Sequence, residues 1–200
     1  MPQLLAAGLV GLVLASPVLG ANNDGGRIAK TNCASCHGTD GNTPDAHYPK
    51  LAGQVSGFLE LQLKNYRSGE RPHPIMAAIA KPLTDREIAA VSSYYATLPP
   101  MRYTGRVDTA LAARGEVIFN QGKPGAPACR LCHGARGEGL APVFARVAGQ
   151  HPEFVVEALQ PYRKAPRFGN PYAYVMKAVV QELSDSDIEA VAAYVATLSK

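Results

Sequence analysis

Two hundred residues with 46% hydrophobic and 18% charged side chains describe a globular chain and exclude a disordered, fibrous or collagen-like one. The formal charge of +4 is spread evenly, nine basic against seven acidic groups over residues 21–105 and eleven against nine over 106–200, which excludes the basic block of a nucleic-acid-binding surface. The length fits one ordinary domain or two small ones, and small domains bury too little apolar surface to do well without a staple or a cofactor.

The chain opens with a nearly unbroken apolar run from Leu4 to Gly20. Residues 1–20 have the length and flank of a secretory signal peptide, with small residues near Gly20 and Ala21 for cleavage, although no Lys or Arg precedes the run. Retention as a membrane anchor is the alternative. A span needs about 20 apolar residues, and Pro17 sits late in this one, so cleavage is the preferred reading. A polar turn is expected over Asn22 to Gly26, then a short helical stretch, Gly26 to Cys33, that leads into a pair of cysteines. Thr84 with Glu87 reads as a capping box for an amphipathic helix carrying Ile88, Val91, Tyr95 and Leu98 at helical spacing. Pro99, Pro100 and Gly105 interrupt the chain and suit a linker, which places a boundary near Tyr103 and predicts domains over 21–103 and 104–200. A second helical stretch, Gly115 to Phe119, is separated from its cysteines by a Gly/Pro-rich insert, Gly122 to Pro127. Ser184, Ile188, Val191, Val195 and Leu198 repeat the terminal helix. Alternating β-branched runs are scarce, so the fold class is all-α with long, ligand-wrapping loops.

These elements occur twice because the sequence does. An offset of 96 brings Cys33, Cys36 and His37 onto Cys129, Cys132 and His133. It also brings Leu51-Ala52-Gly53-Gln54 onto Val147-Ala148-Gly149-Gln150, Tyr66-Arg67 onto Tyr162-Arg163 and Arg71 onto Arg167. The offset then becomes 100, and Met76 meets Met176 and Leu83 meets Leu183, so the second copy has four extra residues just before its methionine. Two copies are too few for a solenoid; tandem duplication of one domain is the economical reading.

All four cysteines lie in Cys33-Ala34-Ser35-Cys36-His37 and Cys129-Arg130-Leu131-Cys132-His133. Cys-x-x-Cys-His reads as c-type haem attachment. Two thiols three apart on a helical turn face the same way and can both add to haem vinyl groups, and the adjoining histidine can then bind the iron as proximal ligand. A redox dithiol would want a thioredoxin-like βαβ context, a zinc site would need both pairs to converge and gives the histidines no role, and a disulfide across four residues is geometrically poor. Besides Met1 and Met101 the only methionines are Met76 and Met176, each seven residues before the leucine that precedes its terminal helix, and these are the candidate sixth ligands. His/Met ligation raises the potential and fills both axial sites. His73 is the nearest rival to Met76 but has no counterpart in the second copy. His47 and His151 read as surface or loop histidines. Arg67, Arg71, Arg163 and Arg167 are candidates for holding a haem propionate, with exposed, solvated arginines as the equal alternative. Tyr94, Tyr95 and Tyr194 read as packing residues of the terminal helices.

On the doubled Cys-x-x-Cys-His-Gly, the Leu51-Ala52-Gly53-Gln54 and Val147-Ala148-Gly149-Gln150 segments, the Tyr-Arg clusters, and Met76 and Met176 ahead of Leu-Thr-Asp and Leu-Ser-Asp, the chain resembles the class I cytochrome c fold twice over. As a whole it looks like the cytochrome c4 family of dihaem periplasmic cytochromes, over nearly all of residues 24–200. The resemblance implies two tandem class I domains, each wrapping one covalently attached haem c. The domains would be related by an approximate twofold axis with their haems close at the interface. Carried over, Cys33, Cys36, Cys129 and Cys132 attach the haems, His37 and Met76 ligate the first iron, and His133 and Met176 the second. Class I cytochromes support the haem histidine through the carbonyl of a proline twelve residues on; Pro49 fits, but the second copy has Ala145 there. Either Pro142 substitutes or the second haem differs in potential, and unequal potentials are the expectation.

The function these features imply is a pure electron carrier and not an enzyme. The family resemblance further implies that it passes single electrons between respiratory partners towards a membrane-bound terminal oxidase, in the periplasm and in loose association with the periplasmic face of the inner membrane. Its partners would be donor and acceptor proteins, with no nucleic acid. The alternative is the haem subunit of a periplasmic oxidoreductase or peroxidase, which would want an open axial site, a cysteine or a second histidine ligand, and acid/base groups near the iron. A haem sensor would need an effector domain, and no segment of the sequence reads as one.

Overall fold

The structure is a computed structural model that describes residues 20–164 and 172–198. The apolar run over 1–19, Arg167 and the extra residues before Met176 lie largely or wholly outside the described residues. Among the described residues the regular structure is helical, with two isolated β-bridges, Lys123 to Ala126 and Leu140 to Phe144.

The first half contains α1 (Gly20–Ile28), a π-helical turn (Ala29–Cys33), α2 (Ala34–His37), α3 (Ser56–Ser68), α4 (Pro74–Ala80) and α5 (Asp85–Thr97). The second contains α6 (Thr109–Gln121), α7 (Arg130–His133), α8 (Pro152–Lys164), α9 (Ala173–Val180) and α10 (Asp185–Thr197). The packing plan is the same in both: α1 against α5 and α6 against α10, with α3 against α4 and α5, and α8 against α9 and α10. Each half builds its own core, Ile28, Leu59, Leu83, Ile88, Val91 and Tyr95 in the first and Ile118, Phe119, Val155, Val180, Ile188 and Val195 in the second.

The turn expected over Asn22 to Gly26 is instead helical, part of α1. Two glycines in succession disfavour a helix locally, but helices in proteins are held chiefly by packing of one face. Here Gly25 lies where a Cβ would come within 2.2 Å of the Ala90 carbonyl oxygen on α5. Gly115 on α6 does the same against Ala190 on α10, at 1.9 Å. The two glycines are therefore the contact points at which the first and last helices of each half cross. Tyr94 covers Gly26, and Tyr194 stacks on Phe119 with ring centroids 5.4 Å apart. Tyr95 is 3% exposed, a packing position as expected.

Both terminal helices start with a capping box, the first at Thr84 and Glu87 as expected and the second at Ser184 and Asp187. The Glu87 N–H donates to Thr84 Oγ1 and the Thr84 N–H to Glu87 Oε2. Asp187 and Ser184 exchange the equivalent pair. The boxes then diverge, because Asp187 is 2% exposed and forms ion pairs with Arg114 of α6 and Lys123 of the Gly/Pro-rich insert. The insert is thus fastened to the domain. Lys123 and Ala126 exchange backbone hydrogen bonds, Ala126 enters the core, and the Lys123 ammonium reaches the cap of α10.

Burial alone would push the Asp187 carboxyl up, but Lys123, the N–H and hydroxyl of Ser184 and Arg114 outweigh it and hold the group well below the usual carboxylate range. A depressed folded-state pKa contributes stability that is complete above the unfolded value, about 4, and fades as pH falls towards the folded value. Asp187→Asn is expected to cost about 2 kcal/mol at pH 7, because the partners are partly exposed and regain water. Urea denaturation of the holoprotein at pH 7 and pH 3 checks this: the gap between wild type and variant should shrink at the lower pH.

The halves meet across a polar seam. Gly57 of α3 sits where a Cβ would come within 2.3 Å of the Pro142 carbonyl oxygen. The connecting segment is pinned on both sides of this seam: the Met101 N–H donates to the Ala52 carbonyl at 2.9 Å, and Met101 itself is fully buried beside Gly149.

Candidate functional site

In the first half, the π-helical turn Ala29–Cys33 delivers Cys33 into the one-turn helix α2, which carries Cys36 and His37. Such turns widen a helix locally and recur at functional sites. In the second half α6 ends at Gln121 and the anchored insert takes over, so that Cys129 caps the corresponding one-turn helix α7. All four cysteines are free and half-buried. Burial raises the Cys33 thiol against a hydrogen bond to Tyr95, and pushes Cys129 up to about 11. A redox dithiol needs the opposite, a depressed thiol.

The chain after each histidine folds back by the same hydrogen bonds. The Thr43 N–H donates to the His37 carbonyl and the Gly139 N–H to that of His133. Further on, the Gly41 carbonyl accepts from Leu51 and Ala52, and the Gly137 carbonyl from Val147 and Ala148. Gly41 and Gly137 both have positive φ, which a side chain would oppose. These returns bring residues 49 and 145 beside the imidazoles. His37 Nδ1 lies 2.8 Å from the Pro49 carbonyl oxygen, and His133 Nδ1 lies 2.8 Å from that of Ala145.

A carbonyl can only accept, so Nδ1 of each ring carries its proton and Nε2 keeps a lone pair. Burial, partly offset by the carbonyl, lowers the pKa of both histidines and so favours the uncharged ring. A neutral imidazole with Nδ1 fixed and Nε2 free is a prepared metal ligand. Paired free thiols one turn before it complete a donor set that fits a covalently attached haem. The outcome also corrects one expectation: Pro142 does not replace the missing proline, since Ala145 supports His133 with its own carbonyl at the same distance as Pro49 supports His37.

Met76 lies half-buried in the first turn of α4. Met176 lies half-buried on α9 and, with Cys129, borders the second core. His73 is engaged as the N-cap of α4, where its Nδ1 accepts from the Met76 N–H at 3.2 Å. Of the arginines read as propionate partners or solvated side chains, Arg67, Arg71 and Arg163 make contacts within the protein. Arg67 bonds the Leu83 carbonyl and Asp85, and Arg163 bonds the Leu183 carbonyl and Asp185, tying α3 and α8 to the starts of the terminal helices. Arg71 lies over the Tyr66 ring, 4.6 Å from its centroid, and bonds Gln62. His47 is exposed, as expected, but His151 is not: at 4% exposure it donates from Nε2 to the Thr43 carbonyl across the seam, and burial lowers its pKa.

Sequence reasoning aligned Gln54 with Gln150 but assigned them no role. Both are 5% exposed, and each pairs with backbone of the opposite half. The available signal was an identical uncharged polar residue closing an apolar-Ala-Gly segment in both copies, where a buried position was already implied.

Comparison with known proteins agrees with this geometry. The cytochrome c family model matches twice, over residues 23–99 and 112–199. Cytochrome c4 of Pseudomonas aeruginosa is 34% identical over 195 residues, 96% of this chain and 94% of that one. A thiosulfate dehydrogenase electron acceptor of Stutzerimonas stutzeri strain A1501 is 32% identical over 209 residues, 97% of this chain and 94% of that one. The crystal structure of reduced recombinant cytochrome c4 from Pseudomonas stutzeri superposes with a TM-score of 0.79 at 32% identity, covering 88% of this chain and 97% of that one. The expected fold class, all-α with two tandem cytochrome c domains, is thereby established, and with it the covalent haem c of such domains. Matched over nearly its whole length in sequence and in fold, the chain belongs to the cytochrome c4 family of electron-carrying c-type cytochromes.

Proposed function

We propose that the protein is a periplasmic dihaem electron carrier. Cys33 and Cys36 attach one haem and His37 and Met76 ligate its iron; Cys129, Cys132, His133 and Met176 do the same for the other, in domains that span 21–103 and 104–200. The observation that carries this reading is the matched pair of imidazoles, each with Nδ1 held by a carbonyl at 2.8 Å and Nε2 left to a metal. Haem iron supplies one-electron chemistry when bound. The chain's own residues keep the imidazoles neutral and oriented, and two methionine thioethers close the axial sites to small ligands.

The partners are a donor protein and an acceptor protein. A membrane-bound terminal oxidase is the acceptor implied by the family resemblance, reached from the periplasmic face of the inner membrane; among the described residues no helix is long and apolar enough to cross a membrane. The likeness to a protein named as a thiosulfate dehydrogenase electron acceptor favours a second reading, in which the donor is a sulfur-compound dehydrogenase and this chain carries its electrons away.

Spectropotentiometric titration of the purified holoprotein tests the core of the proposal. Two haems per chain, the weak red-end band of thioether-to-iron ligation in the oxidised form, and slow reaction with cyanide at neutral pH are expected. One haem per chain, absence of that band or rapid cyanide binding would overturn it.

A further inference from the structure

The seam between the halves holds a reciprocal exchange. In one direction, the Lys50 N–H donates to Gln150 Oε1 at 3.0 Å and Gln150 Nε2 donates to the Lys50 carbonyl at 3.1 Å. In the other, the Arg146 N–H donates to Gln54 Oε1 at 2.6 Å and Gln54 Nε2 donates to the Arg146 carbonyl at 2.9 Å. Each side-chain amide thus copies a strand's backbone and satisfies both polar groups of a single residue in the other half.

The residue chosen is what matters. The Lys50 N–H belongs to the same peptide unit as the Pro49 carbonyl, which accepts from His37 Nδ1. The Arg146 N–H belongs to the peptide unit of the Ala145 carbonyl, which accepts from His133 Nδ1. A peptide is a single conjugated dipole, so a hydrogen bond accepted from its N–H end makes its oxygen a better acceptor. The glutamine also fixes the plane of that peptide, and hence where the oxygen points. Both glutamines are held in turn. Gln54 Oε1 accepts a second bond from the Val55 N–H, Gln150 Oε1 one from the His151 N–H, and the glycines before them, Gly53 and Gly149, bond the ends of α5 and α10.

We propose that Gln54 and Gln150 are crossed positioning residues: Gln54 of the first half sets the hydrogen bond on His133 of the second, and Gln150 sets the one on His37. The inference rests on the reading of these histidines as haem ligands. A stronger bond at Nδ1 makes Nε2 a better electron donor to a metal and favours its oxidised state. Loss of a glutamine therefore raises the midpoint potential of the haem in the opposite half.

The test is Gln54→Leu and Gln150→Leu in the full holoprotein, read by redox titration with NMR to assign each midpoint to its own imidazole. Gln54→Leu should raise the midpoint of the His133 site, move the His133 Nδ1–H resonance upfield and speed its exchange, with the His37 site unmoved. Gln150→Leu should do the reverse. Gln54→Asn, too short by a methylene to hold both groups, should behave like the leucine variant, and Gln54→Glu at a pH where it is protonated should restore part of the effect. A change confined to the glutamine's own half, an equal change at both sites, or no change overturns the inference. Should a leucine variant not fold, the wild-type Nδ1–H signals decide: two slowly exchanging protons are required, and rapid exchange at either overturns it. A wild-type holoprotein lacking two histidine-ligated haems would overturn the proposed function instead, before any variant is made.

Discussion

Converting Cys129 and Cys132 together to alanine should leave a protein that retains one covalent haem, takes up one electron per chain in place of two, and keeps the first site unaltered. No other thiol can substitute, because all four cysteines are committed to the two motifs. The two motifs sit on separate hydrophobic cores, Cys33 bordering the first and Cys129 the second, so the first site keeps its own packing when the second attachment is removed. A trace of haem held at the altered site without thioethers would be lost on extraction with acidified acetone. Mass spectrometry before and after that extraction, with a reductive titration, reads the result. Two haems still attached after extraction would remove these cysteines from the site.

The second large effect belongs to a residue with no side chain. Gly115→Ala should destabilise the second half even though alanine improves helix propensity by about 1 kcal/mol over glycine. Its Cβ would lie 1.9 Å from the Ala190 carbonyl oxygen, 2.4 Å from the carbonyl carbon and 2.9 Å from Tyr194 Cβ, and the first two are backbone atoms that cannot turn aside. The helices α6 and α10 would have to separate where Phe119, Ile188 and Val191 pack. A net loss of about 2–3 kcal/mol is expected from overpacking of this kind. That corresponds to a fall in Tm of roughly 10–20 °C for a domain of this size. Thermal unfolding of the holoprotein measures it, with the neighbouring exposed Glu116→Ala as the control that should hardly move. An unchanged Tm in Gly115→Ala would mean that the crossing is not a tight contact.

Much of this was legible in the residues. Duplication, the two Cys-x-x-Cys-His motifs, the terminal helices and the capping box of the first all rest on local chemistry with fixed spacing, and each was found where expected. What escaped was what depends on the other half of the molecule. Asn22 to Gly26 reads as a turn because its partner surface on α5 is not visible in a local window, yet packing at Gly25 makes it helical. The absence of a proline at 145 suggested that Pro142 substitutes or that the second haem differs in potential, but the supporting atom is a backbone carbonyl, which Ala145 supplies itself. Arg67 and Arg163 were matched as a pair, yet a basic residue in sequence does not name its partners, here an aspartate in the first turn of the terminal helix and a carbonyl just before it. His151, read as a surface or loop histidine, does lie outside the helices, but nothing in one copy shows that the other covers it. The expectation of unequal haem potentials accordingly loses the ground it had at position 145.

The exchange of glutamines has a consequence for how such a chain can arise and be taken apart. Residue 54 reaches to 146 and residue 150 reaches to 50, so one face of each half carries both the giver and the receiver of the contact. That is the logic of an isologous dimer, in which a surface is complementary to its own copy. Covalent fusion converts such a pairing from a bimolecular association, sensitive to dilution, into an intramolecular one at high effective concentration. Within one chain the two faces need not stay identical, and Lys50 and Arg146 already differ at equivalent places.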